Sequence, residues 1–151
     1  AGATTKAIRD VCRVMKTPLP FIGVRGIRYL AGQMEGWPKK LGNPKAIRYL
    51  AQVVRMQEEI GTGGAGFRFM YAAFLQEAAA LLQEEELLKI SSRLTEVGDQ
   101  WRVFAAQGAR YCKGREQDGE SFPAMANILR DCSRQEEAIF GDLSTLMAKR
   151  H

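Results

Sequence analysis

Apolar residues recur along this chain with the spacing of helices. At about 100° per residue, Ile8, Val11, Cys12 and Met15 share one face of a segment over 5–16, and Lys6, Arg9, Arg13 and Lys16 share the opposite one. "TPLP" at 17–20 ends that segment, because a residue ahead of proline is pushed out of the α region. The pattern predicts a second helix over 23–35 that stops before "GWPKKLGNP", which puts Trp37 in a loop. Asn43 as N-cap and Pro44 at the first helical position open a third helix, ending near Ile60. A fourth covers 64–83, and a long fifth covers 84–113, with Gly98 and Gly108 as points of interruption. After the polar break "GREQDGES", Ser121 caps a last helix with Pro123 in its first turn, running toward Lys149. No segment alternates over useful length as a half-buried strand would. The expected fold is all-α, about six helices in an irregular, bundle-like packing, as one domain over 1–151.

Three of these segments look alike. "KAIRDVCRVMK" (6–16), "RGIRYLAGQME" (25–35) and "KAIRYLAQVVR" (45–55) share a basic residue, a small one, Ile and Arg. Solenoid units would be longer and better matched, so convergent amphipathic helices are the simpler reading. Either way, these helices present Arg and Lys outward in stripes.

The chemistry question centres on "GTGGAGFRFMYAAF" at 61–74. Gly61-x-Gly63-x-x-Gly66 spells the dinucleotide-binding fingerprint, but that motif follows a strand, and here "IRYLAQVVRMQEEI" reads as a helix. No Gly-Lys-Ser/Thr follows, so a P-loop is excluded too. Two readings remain. One is a tight helix–helix turn whose glycines permit positive φ and close approach. The other is an anion site in which N–H groups around Gly61, Gly63, Gly64 and Gly66 face a ligand, with Arg68 adding charge and Tyr71 an aromatic wall. Phe67, Tyr71 and Phe74 fall on one stripe and Phe69 leaves it, which predicts burial on more than one side.

Composition narrows the function classes. At 151 residues, with 46% hydrophobic and 26% charged, the chain matches an ordinary globular domain. No apolar run approaches the ~18 residues of a membrane span, and no membrane partner is expected. Cys12, Cys112 and Cys132 are odd in number and sit on amphipathic segments. They read as small buried hydrophobes in a reducing, cytoplasmic setting. The only histidine is the terminal His151, so no Ser–His or Cys–His relay and no histidine-containing metal site is built. The paired acids Glu58-Glu59, Glu84 to Glu86 and Glu136-Glu137 diverge by about 100° each on a helix and read as mostly solvated. No catalytic residue, metal or cofactor is expected. The charge is uneven: residues 1–57 carry +9 and residues 58–151 carry −4. Nucleic acid is not the expected partner, because no binding motif accompanies the basic half.

"GVRGIRYLAGQMEGWPKKL" (23–41), "EEIGTGGAGFRFMYAAFLQEAAALL" (58–82) and "LTEVGDQWRVFAAQG" (94–108) together resemble the C-terminal helical region of butirosin biosynthesis protein H-like proteins, over about 7–143. The resemblance implies a two-part molecule, with an N-terminal papain-like domain supplying the catalytic cysteine and histidine. The namesake activity is transfer of an acyl group from an acyl carrier protein to an aminoglycoside amine. The present chain matches only the helical part, and its opening "AGATTKAIRD" lacks an initiator Met, so it is expected to be a piece of a longer polypeptide. The reading that follows is a non-catalytic accessory domain that shapes the substrate cleft or docks the carrier. Carrier proteins are acidic, and Lys6, Arg9, Arg13, Lys16, Lys45, Arg48 and Arg55 are the candidate docking residues. The alternative is a free-standing helical module that binds a small anion between helices.

Overall fold

The computed structural model describes residues 1–16, 23–58 and 65–150, with six α-helices and no strand among them. They are α1 (Gly2–Met15), α2 (Gly23–Leu41), α3 (Asn43–Glu58), α4 (Ala65–Leu82), α5 (Glu86–Cys112) and α6 (Phe122–Ala148). The all-α expectation holds. At 27 residues each, α5 and α6 are about 40 Å long and form the central pair. Helix α4 packs along α5, α2 runs along α6, α3 closes the gap between α2 and α5, and α1 lies on α6. Leu75, Leu94, Phe104, Leu129, Phe140 and Leu143 are fully buried where these helices meet.

The glycines expected to interrupt α5 are instead its contact points. A Cβ on Gly98 would stand 2.8 Å from Cε1 of Phe69, and one on Gly108 would stand 2.6 Å from Cγ2 of Val54. A helix-interior glycine costs about 1 kcal/mol relative to alanine, and close packing of the Phe69 ring and Val54 offsets it. Helix α5 therefore runs unbroken.

Helix α2 corrects the expected boundary, since it continues through Gly36, Trp37 and Pro38 to Leu41. Proline inside a helix costs about 3 kcal/mol, so local propensity favours the earlier stop. Tertiary contacts override it. Trp37 meets Tyr49 of α3 edge-on at 5.6 Å, and Glu35 pairs with Arg130 of α6. The start of α3 also moves by one residue: the Gly42 carbonyl accepts from the Ala46 N–H at 3.0 Å, and Gly42 carries a positive φ of 78°. At α6 the expected cap is present, with Ser121 Oγ accepting from the Ala124 N–H at 3.2 Å.

The turn from α5 to α6 is closed by a charge. Arg110 Nε donates to both Glu120 oxygens at 3.0 and 3.1 Å, and the Gln117 N–H donates to Glu120 Oε2 at 3.0 Å. Arg110 first, then the Gln117 N–H, hold the Glu120 carboxyl below its ordinary value of 4.5. A carboxyl depressed in the fold contributes stability above its unfolded pKa, and that stability is lost as pH falls through the depressed folded value. Glu120→Gln is therefore expected to lower stability at neutral pH and to flatten the acid limb of the stability curve. Urea midpoints of both proteins from neutral pH down into the acid range check this.

Candidate functional site

The glycine–aromatic junction is the natural place to look. Gly61, Gly63 and Gly64 lie outside the described residues, whereas Gly66 is half-buried in the first turn of α4. Among the described residues the element before the junction is helix α3, where a dinucleotide loop requires a strand. The aromatic stripe forms as expected: Tyr71 stacks on Phe67 at 5.7 Å and meets Phe74 at 5.5 Å and Phe140 at 6.1 Å. Phe69 leaves the stripe to reach Gly98, with Arg102 4.6 Å above its ring.

Arg68 points inward. Its Nε and a terminal nitrogen reach Glu136 Oε1 at 2.9 and 2.7 Å, and the other Glu136 oxygen accepts from the Trp101 indole N–H at 3.1 Å. The guanidinium carbon lies 4.7 Å from the Trp101 ring centre and 5.5 Å from that of Phe67. Glu136 has no exposed surface. Burial pushes its carboxyl above the ordinary range, against the pull of Arg68 and the Trp101 N–H. An anion at the junction would have to compete with Glu136 for this charge. The three helices α4, α5 and α6 are thus tied at one buried point.

Glu136 is the residue that reasoning from acidic pairs missed. Glu137 behaves as expected, partly exposed and paired with Arg28. Glu136 instead stands on the apolar stripe of α6 with Leu129, Cys132, Phe140 and Leu143. That three- and four-residue spacing was the available signal, since a carboxylate on a buried stripe needs a partner in the core.

The other titratable groups nearby are quiet. Burial raises the Cys12 thiol to about 11 and the Cys132 thiol to about 12, with Glu136 adding to the latter, and it also raises Cys112. Thiols pushed this way are poor nucleophiles at neutral pH. Burial, and then the neighbouring Cys12, push the Tyr71 hydroxyl upward, and that buried hydroxyl has no hydrogen-bond partner among the described residues. Among the described residues no three His, Cys, Asp or Glu side chains are grouped to hold a metal.

A family model described as a domain of unknown function (DUF4872) matches residues 1–143, from α1 into α6. The chain belongs to this family. No curated protein matches the chain, and no solved structure does.

The expected docking residues of this DUF4872 domain divide by environment. Arg9 donates to the carbonyls of Met147 and Arg150 at 2.7 and 2.6 Å, closing the C-terminal end of α6 where a cation suits the helix dipole. Arg13 pairs with Asp10 at 3.3 Å, and Arg55 is exposed near the end of α3. Lys6 on α1, Lys16 just past its end, and Lys45 and Arg48 on α3 are exposed and make no ion pair among the described residues. Lys39 and Lys40 at the end of α2 are alike in this. By contrast, the basic residues of α4–α6 are mostly matched: Arg68 with Glu136, Lys89 with Glu86, Arg93 with Asp142, Arg110 with Glu120 and Arg134 with Asp131. Among the described residues, no helix is long and apolar enough to cross a membrane.

Proposed function

We propose that this DUF4872 domain is a non-catalytic accessory domain of a butirosin-biosynthesis-H-like acyltransferase, set beside a papain-like N-terminal domain and docking an acidic acyl carrier protein. One observation carries the reading. Positive charge on α4–α6 is largely matched by carboxylates, whereas Lys6, Lys16, Lys39, Lys40, Lys45 and Arg48 on α1–α3 have no such match among the described residues. Uncompensated surface charge raises encounter rates and selects partners of opposite sign. A carrier delivered to a neighbouring catalytic domain needs a surface of this kind, which does no chemistry of its own.

The test is a titration with a fluorescent acyl carrier protein at low salt and again at physiological ionic strength. Binding that weakens with salt is expected, and Lys45→Glu with Arg48→Glu is expected to reduce low-salt affinity by about tenfold or more. Salt-independent binding, or none, removes the reading.

A further inference from the structure

Helix α4 is built for more contact than this chain gives it. It is the most apolar of the six helices and the least one-sided, a pattern that belongs to helices covered all round. Its inner face is buried against α5 and the core. On its outer face Met70 is 64% exposed and Leu81 69% exposed. Eleven positions apart, these two residues fall within about 20° on a helix, with the half-buried Phe74 and the exposed Glu77 between them. To one side of this strip, a groove of about 330 Å³ is lined by Ala79, Ala80 and Leu88 together with Gln76, Gln83, Glu84 and Glu85. Leu88 is itself 47% exposed.

Charge selects the occupant. Glu84 is held by Arg150, but Glu77 and Glu85 are exposed and form no ion pair among the described residues. An apolar strip with the Glu77 carboxylate within it and Glu85 beyond its end repels the anionic surface of a membrane. It also opposes symmetric pairing with a second copy. Antiparallel two-fold packing that set Met70 against Leu81 would bring the two Glu77 side chains together near its centre. What fits is an apolar helix edge flanked by lysine or arginine.

We propose that the outer face of α4, from Met70 to Leu81 and on to Leu88, is a docking surface for an amphipathic helix of another protein whose apolar stripe is bordered by basic residues. The surface shares no residue with the basic stripes of α1–α3 and does not depend on what those bind. In such a complex the partner's leucines cover Met70, Phe74 and Leu81, while its lysines meet Glu77 and Glu85.

Two synthetic helices test this, with identical leucine stripes, one flanked by lysine and the other by glutamate. Their binding to the 151-residue chain is read by fluorescence anisotropy. The lysine-flanked helix is expected to bind and the glutamate-flanked one is not. Met70→Gln with Leu81→Gln, both exposed and so compatible with folding by circular dichroism, is expected to weaken binding about tenfold or more. Glu77→Lys with Glu85→Lys is expected to reverse the preference between the two helices. Equal binding of both helices, or affinity unchanged by either pair of substitutions, overturns the proposal. So does a concentration-dependent dimer that Leu81→Gln abolishes, because then a second copy covers the face.

Discussion

Glu136→Met is expected to destabilise the domain by about 3–5 kcal/mol, a third or more of the stability of many domains this size. The substitution leaves the Arg68 guanidinium in the core without the carboxylate that meets its charge, and it removes the acceptor of the Trp101 N–H. Arg68→Met should cost a similar amount, since Glu136 would then be buried without its cation. The double variant Arg68→Met, Glu136→Met separates charge from packing. It removes both ions and keeps apolar volume, and replacing a buried ion pair this way is often neutral. The Trp101 N–H would still lack a partner, at about 1–3 kcal/mol. The double variant is therefore expected to be more stable than either single one, with a strong coupling in the cycle. Urea unfolding of the four proteins measures it. Additive losses would mean that the three groups act independently, contrary to the shared Glu136 carboxylate.

That cluster also marks where reading the chain stops being sufficient. The six helices were legible because each carries its own periodicity: Ile8, Cys12 and Met15 on α1 are buried as their spacing requires. Ser121 and Pro123 announced the start of α6 for the same local reason. The union of Arg68 with Glu136 spans 68 positions, and nothing in either neighbourhood names the other. The helical run through Pro38 was hidden likewise, because its compensation comes from Tyr49 and Arg130 on other helices. Of the site residues, Tyr71 and the aromatic stripe were readable as a packed face. The inward turn of Arg68 was not, since an arginine one turn into a helix looks the same whether it faces a ligand or a buried glutamate. Arg9 shows the same limit at the surface, where its stripe suggested docking and its contacts are the carbonyls at the end of α6.

Gly23→Ala is the second large effect expected, at about 2–5 kcal/mol. Gly23 opens α2 with φ at +64°, and a Cβ there would stand 2.4 Å from the Met15 carbonyl oxygen and 2.8 Å from its carbon. Two costs combine. A left-handed backbone conformation costs a non-glycine residue about 1–2 kcal/mol, and forcing atoms into a packed space costs about 1–3 more. The obstacle is backbone, which no rotamer change can move. Relief requires α1 and α2 to part, and the next residue of α2 is already engaged. The Val24 carbonyl accepts from Ser133 Oγ at 2.8 Å, and Ser133 in turn accepts from Arg28 Nε at 3.0 Å. Displacing the start of α2 would therefore disturb its seat on α6. Two controls resolve the two costs. Gly119 has φ at +86° with nothing within 4 Å of its would-be Cβ, so Gly119→Ala should show the conformational cost alone. Gly32 lies inside α2 with the same open space and no positive φ, so Gly32→Ala should raise stability by about 0.5–1 kcal/mol. Thermal midpoints should rank Gly32→Ala above the parent, Gly119→Ala below it and Gly23→Ala lowest. If Gly23→Ala falls no further than Gly119→Ala, the close approach of Met15 does not hold α1 against α2.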